Sequence, residues 1–585
     1  MATFLYRIGR FAFRRRGLVL AAWLLLLAGV VGAVAAAGTA PTADVTIPGT
    51  ESQRALDALA EEFPHASGAS GTVVVRAPHG HTVLDATGRK VVLGVVQDAD
   101  ALPGAVGATS PYDSKAISRD GRYALVTVQL DKAADALSDA ERSAYEGLGD
   151  HAPAGWKVAA GGEPTQAPTE VGSTEGIGVL VALVVLVITF GSMVAAGMTM
   201  LNALIGVGIG YAGITLAGHV FDMTSVTPVL ALMLGLAVGI DYSLFITSRY
   251  RHNLAIGLER AEAAGRAVGT AGSAVVFAGL TVVIALAGLS IVGIPFLAAM
   301  GLAAAGTVAV AVLVAITLLP AVLAFAGDKV LSRRQRGGAA GHDPEEESAT
   351  AGFTWGRLMA RFRVPVLLAG VVVLGVLSVP VLHMQLALPD DGTAAAGTSK
   401  REAYDLIADG FGEGFNGRLV MVVHGDDPAA VQGAAGRAAK AATVDDVAAA
   451  TAPQLSGDGR TALVAVIPTS GPSDPATFDL VRDLRTRLTG TARATGTTIS
   501  VTGATAVGVD VSDKLRDALP VYLLVVVGLS FVLLTLVFRS LLVPLKATLG
   551  FLLTIGASFG ATVALFQWGW LSALLGIDTT GPLVS

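Results

Sequence analysis

The chain has 585 residues, of which 53% are hydrophobic and only 15% charged, and its mean hydropathy is +0.64. A soluble domain carries about a quarter charged residues, so much of this chain must face something other than water. A net charge of −6 with no basic, aromatic-interleaved tract argues against nucleic acid, and the lack of cysteine excludes disulfides, thiolate zinc sites and cysteine nucleophiles.

Residues 1–37 begin with Arg7, Arg10 and Arg14 to Arg16 and run into an apolar stretch at 17–37. About 20 apolar residues cross a hydrocarbon core of roughly 30 Å, which makes this a first membrane span. Its arginines and small-residue end at Ala35 to Gly38 also suit a signal peptide. The stretch is long for one, however, and its counterpart at 364–384 lies where no signal peptide acts. The polar segment 38–174 follows. Periodicity predicts helices over 51–63 and 138–148 and strands over 72–76, 123–130 and 156–160, a compact split βαβ domain.

Residues 175–326 hold five further spans, at 176–190, 193–217, 226–247, 271–292 and 296–325. The first of these is short by strict bounds, with apolar character from Val171. A connector, 327–363, contains a stretch at 337–352 with Asp343 and Glu345 to Glu347 that lacks apolar periodicity and reads as a disordered linker. Span seven covers 364–384. The second polar segment, 385–516, repeats the α/β pattern with helices over 399–411 and 475–488 and strands over 418–424, 461–467 and 498–502. Residues 517–585 supply spans eight and nine, at 519–538 and 543–566.

Lys and Arg mark the cytoplasmic side of a membrane protein. Besides the N-terminal arginines, they gather at Arg249, Arg251, Arg260 and Arg266, at Lys329, Arg333, Arg334, Arg336, Arg357, Arg361 and Arg363, and at Arg539. Threading nine spans alternately places all of them on one side, and both polar segments on the other. The two halves also match in sequence. Ser118-Arg-Asp-Gly-Arg-Tyr-Ala-Leu-Val returns as Ser456-Gly-Asp-Gly-Arg-Thr-Ala-Leu-Val, Arg10, Arg14 and Arg16 return as Arg357, Arg361 and Arg363, and Phe190-Gly-Ser returns as Phe538-Arg-Ser. The chain is a direct repeat of one span, a soluble domain and a bundle of spans.

Asp241 is the one acid well inside any of these segments, in Gly235-Leu-Ala-Val-Gly-Ile-Asp-Tyr-Ser. A carboxylate at that depth costs about 2.5–3.5 kcal/mol on insertion scales and is retained where it pairs, protonates or lines a water path. Against this stands a structural carboxylate near a helix end, two turns from Arg249. Tyr242 can donate a hydrogen bond to a carboxylate on a neighbouring helix. Gly235 and Gly239 form a small-xxx-small face for close helix packing, with no chemical role. Gly208 to Gly213 spells G-x-G-x-x-G but lies in an apolar span with no strand before it, which removes the dinucleotide reading. Asn202 reads as an interhelical hydrogen bond. No Walker A sequence, Gly-x-Ser-x-Gly elbow or metal-ligand spacing occurs.

Together these features resemble the resistance-nodulation-division superfamily, and within it the MMPL family of actinobacteria. The motifs that carry the likeness are Ile47-Pro-Gly-Thr-Glu-Ser-Gln, Phe190-Gly-Ser, and Gly239-Ile-Asp-Tyr-Ser-Leu-Phe followed by Arg249-Tyr-Arg. The resemblance implies a polytopic α-helical protein of twelve spans with two extracytoplasmic α/β porter domains in the cytoplasmic membrane, and spans two to six like a sterol-sensing bundle. It implies a proton relay of two Asp-Tyr pairs, of which Asp241 and Tyr242 match the first, and a non-enzymatic exporter of lipids or hydrophobic small molecules. No bound cofactor or metal is expected, the proton gradient being the energy source. The partners implied are membrane lipids and the substrate, with room for a second copy or accessory membrane proteins. The ending Gly581-Pro-Leu-Val-Ser585 aligns with Thr227-Pro-Val-Leu, so the second pair would fall about ten residues beyond Ser585, and the chain reads as a truncated member with nine of twelve spans. Two alternatives are a sterol-sensing-type lipid-binding or regulatory membrane protein, and an accessory factor for protein export.

Overall fold

The computed structural model describes residues 1–38, 46–62, 68–166, 173–221, 223–331, 351–575 and 581–584. The expected linker at 337–352 and the apolar start at Val171 lie largely or wholly outside them. The chain divides into two compact units, one from 1–46, 168–371 and 517–550 and the other from 47–167, 372–516 and 551–585.

In chain order, α1 (Ala2–Arg14) and α2 (Arg16–Ala37) lead to α3 (Glu51–Glu62), β1 (Ser70–Arg76), α4 (Ala86–Asp100), β2 (Ala105–Thr109), α5 (Pro111–Ser114), β3 (Tyr123–Leu130), α6 (Asp139–Glu146) and β4 (Lys157–Gly162). Five helices of the first unit follow: α7 (Ser173–Phe190), α8 (Met193–Ala217), α9 (Val226–Ala255), α10 (Arg260–Ala287) and α11 (Pro295–Ala326). The second half repeats the order with α12 (Ala351–Arg361), α13 (Arg363–Ser378), β5 (Leu386–Ala387), α14 (Ser399–Phe411), β6 (Leu419–His424), α15 (Pro428–Ala441), β7 (Val447–Ala450), β8 (Gln454–Leu455), β9 (Thr461–Pro468), α16 (Pro475–Thr495), β10 (Thr498–Thr502), α17 (Ala504–Phe538) and α18 (Leu542–Thr562). Among the described residues, eight helices are long and apolar enough to cross a membrane, and Gly176–Phe190 within α7 is a shorter apolar one. All nine expected spans are therefore helical.

Lipid offers no hydrophobic drive to pair helices, so close packing depends on small residues. In the first unit α1 buries Leu5, Gly9 and Ala12, packing on α10 and, through Ala12 beside Ala321, on α11. A Cβ at Gly9 would lie 2.8 Å from Val268 Cβ, and one at Gly301 of α11 would lie 2.3 Å from the Leu286 carbonyl oxygen. Larger side chains, among them Ile246, Tyr250, Leu319 and Leu323, fill the core between these helices.

The second unit contains two sheets of identical topology. The first runs β2-β3-β1-β4 and the second β7-β9-β6-β10, with β8 also on β9; all these neighbours are antiparallel. Each is a split βαβ sheet, strand–helix–strand–strand–helix–strand, with the first and third strands central. The repeated turn is the same atom by atom. Ser118 Oγ donates to Asp120 Oδ1 at 2.5 Å and accepts from Tyr123 N at 2.9 Å, while Ser456 Oγ donates to Asp458 Oδ1 at 2.6 Å and accepts from Thr461 N at 2.9 Å. In both turns the serine hydroxyl and a backbone N–H hold the aspartate below its ordinary carboxylate range.

The helix ahead of each sheet docks on the sheet of the other half. In α14, Ala403, Leu406 and Ile407 cover Val74, Tyr123 and Ala159 of the first sheet, the face opposite Val73 and Val75 because strand side chains alternate. Reciprocally, α3 packs on β10. Two equivalent serines make equivalent contacts: Ser399 Oγ donates to Ala160 O (2.9 Å), and Ser52 Oγ to Val501 O (3.4 Å). Hence 38–174 and 385–516 do not each close on themselves.

Candidate functional site

The 30-residue helix α9 carries Asp241 in its middle. Its side chains sort by face. Tyr242, Ser243, Ile246, Thr247 and Tyr250 are buried together with Gly235 and Gly239. Met233, Ala237, Asp241 and Phe245, spaced four apart, form an open stripe in which Asp241 is the only charge, with Met233 54% and Phe245 60% exposed.

The glycines and the carboxylate do not share a face. Two residues of helix rotate by about 200°, so Gly239 points almost opposite Asp241. A Cβ at Gly239 would lie 3.3 Å from Ala203 Cα of α8, and one at Gly235 2.5 Å from Thr307 Cγ2 of α11. The glycines thus serve the close packing expected of them, seating α9 inside its own bundle on the side away from Asp241. Tyr242 also points inward, its Cε2 3.4 Å from where a Cβ of Gly279 on α10 would be.

Behind the stripe, α8 and α9 join through polar groups. Asn202 Nδ2 donates to Ser243 Oγ at 2.7 Å, and Thr199 Oγ1 lies 3.4 Å from Thr247 Oγ1 while donating to Ala195 O at 2.9 Å. Asn202 Oδ1 and the Tyr250 hydroxyl are buried without a hydrogen-bond partner. Sequence reasoning singled out Asn202 but not Thr199, Ser243, Thr247 or Tyr250. The i, i+4 spacing of Ser243 and Thr247 in an apolar helix was the available signal. Among the described residues no three His, Asp or Glu side chains are placed to hold a metal ion.

A second charged cluster locks α3 in the second unit. Arg485 of α16 donates to Asp510 Oδ1 at 2.6 Å and Oδ2 at 3.1 Å, and to Ser52 Oγ at 2.9 Å. Asp510 also accepts from Ser52 N at 3.1 Å, and Glu51 Oε1 from Val501 N at 2.8 Å. Burial raises the Glu51 carboxyl above its usual range, against the opposing pull of the Val501 N–H and Arg485. Glu51 and Ser52 belong to the Ile47-to-Gln53 motif, which the structure thus assigns to an inter-half joint.

The MMPL family profile matches residues 44–367 and 416–579, which cover both sheets and most of the apolar helices. The chain belongs to the MMPL family. Membrane protein YdfJ of Bacillus subtilis is 38% identical over all of this chain and 80% of its own length. Two mycobacterial members are 28% identical: the heme uptake protein MmpL11 of Mycobacterium tuberculosis (98% of this chain, 62% of the relative) and the mycolic acid-containing lipids exporter MmpL11 of Mycolicibacterium smegmatis (96% and 60%). The chain thus spans about three-fifths of these mycobacterial relatives. MMPL relatives are named as membrane, transport, uptake or export proteins rather than enzymes, and this chain is a multi-pass membrane protein of that transport class.

Proposed function

We propose that this MMPL chain exports lipids or other hydrophobic small molecules across the cell membrane at the expense of the proton gradient, with Asp241 as the group that binds and releases the proton. The observation that carries the reading is the open stripe of α9: a lone carboxylate between Ala237 and Phe245 on a membrane helix. Ionised and facing hydrocarbon, it costs several kcal/mol; protonated, it is tolerated. A group of this kind couples proton uptake to which surface faces it. Tyr242, the second residue of the pair, is buried beside it against α10.

The cargo class follows from relatives named for lipid export and transport and from energetics. Exposing a sixteen-carbon chain to water costs on the order of 13 kcal/mol at about 0.8 kcal/mol per CH₂, whereas one charge crossing 100 mV yields about 2.3 kcal/mol. A lipid cargo must therefore stay in an apolar path. The deciding experiment compares wild type with Asp241→Asn in cells of matched expression. Asparagine keeps the shape but cannot cycle a proton, so gradient-dependent efflux should vanish while the folded protein persists, and Tyr242→Phe should retain most efflux. Normal efflux by Asp241→Asn would sink the assignment. Binding of lipid that survives collapse of the gradient, without transport, would point to a sensing role instead.

A further inference from the structure

The first 43 residues contain five arginines and no acid. Two of the five contact the protein. Arg16 donates to Ala324 O at 2.7 Å and lies 4.8 Å over the Phe325 ring, and Arg10 donates to Tyr6, whose hydroxyl donates to Glu262 at 2.5 Å. Arg14 lies in the last turn of α1 beside Arg15, and these two with Arg7 are exposed and form no ion pair among the described residues. The buried face of α1 consists of Leu5, Gly9 and Ala12. Its outward face alternates Phe4, Arg7, Phe11 and Arg14, with Phe4 65% and Phe11 57% exposed.

Two aromatic rings left in water are unfavourable, and three unneutralised guanidinium groups at one helix repel each other. One surface relieves both: the headgroup layer of an anionic bilayer, where the rings enter the acyl boundary and the arginines meet phosphate. We propose that the Phe4–Arg7–Phe11–Arg14 face of α1, with Arg15 just past its end, is a seat for anionic phospholipids in the leaflet that the arginines mark as cytoplasmic. The repeat supports the assignment. In α12, Arg361 stands where Arg14 does in α1 and the exposed Leu358 where Phe11 does, so the repeat keeps the C-terminal part of this face. The lipid here is a fixed neighbour of the bundle, separate from any cargo.

The test uses the full chain in a neutral detergent, supplied with equimolar phosphatidylglycerol and phosphatidylcholine, with bound lipid counted by native mass spectrometry. Wild type should prefer phosphatidylglycerol. Each arginine near an anionic surface contributes roughly a fivefold factor, so R7Q/R14Q/R15Q should lower that preference by up to about 100-fold. R7K/R14K/R15K should keep it within about fivefold, because the charge remains, and R119Q/R493Q, on the sheet domains, should leave it unchanged. No preference in wild type, an undiminished preference in the glutamine variant, or its loss in the lysine variant would each overturn the proposal. A change of oligomeric state at unchanged lipid preference would also overturn it, assigning the face to a second copy.

Discussion

Arg485 illustrates how one residue holds two halves of a chain together. Asp510 is nearly buried and depends on it. Breaking a buried pair costs about 3–5 kcal/mol because the surviving charge is left uncompensated, so Arg485→Ala should lower the unfolding midpoint sharply. Arg485→Met with Asp510→Leu should recover most of that loss; a double variant as unstable as the single would show that packing, not charge, is at issue. Gly235→Val should also destabilise, by roughly 1–3 kcal/mol, since a Cβ there already meets Thr307 at 2.5 Å. It should reduce folded yield, unlike Asp241→Asn, and equal yields would contradict the packing role. At Arg539 the repeat has placed a side chain at φ +49° where its counterpart Gly191 sits at φ +59°. Left-handed geometry costs a non-glycine residue about 1–2 kcal/mol, so Arg539→Gly should raise thermal stability in detergent by about 1 kcal/mol. At this scale the sequence revealed Asp241, because a lone acid in an apolar run is visible in one dimension. It did not reveal Arg485 with Asp510 and Ser52, whose numbers are hundreds apart.

Among elements, the spans and the strongly alternating strands were legible. The Tyr123–Leu130 and Thr498–Thr502 strands fall at their expected ends, and the first helix of the polar segment is described as far as Glu62, with residue 63 outside the described residues. The helices Ala86–Asp100 and Pro428–Ala441 were missed, with the short strands that follow them. Both helices are rich in Ala, Gly or Val and bury small residues such as Ala99, Ala434 and Ala438, so the contrast between their faces is weak and periodicity carries little signal. The docking of α3 and α14 onto each other's sheets could not be read at all, since periodicity reports that a face is apolar and not what covers it. Both docks carry a half-buried carboxyl, Glu51 and Asp391. Burial lifts each above its usual range, opposed for Asp391 by the Gly162 N–H and Lys400. A carboxyl raised in the folded state stabilises while protonated, so its contribution is complete below the ordinary range and lost as pH rises through the raised values. Hydrogen exchange corrected for intrinsic rate should show α3 and α14 better protected at pH 5 than at pH 7.5; equal or reversed protection would contradict this.

For the molecule as a whole, the arginine distribution predicts that both sheet domains lie outside the membrane and the connector inside. The chain has no cysteine, so single introduced cysteines report cleanly. Ser348→Cys should resist an impermeant maleimide in intact cells while Arg119→Cys reacts, and labelling at position 348 would invert the topology. Two domains that complete each other also impose a schedule on biosynthesis. The first sheet ends at Gly162, but its covering helix ends at Phe411, 249 residues later. At roughly 5–20 residues per second the ribosome needs about 12–50 s to deliver it. Throughout that interval Val74, Tyr123 and Ala159 stand uncovered beside the membrane, a sticky surface awaiting its lid. Whatever shields nascent chains must hold this one for a long stretch of its translation, and a ribosome stalled before Ser399 leaves a domain that no amount of time will finish.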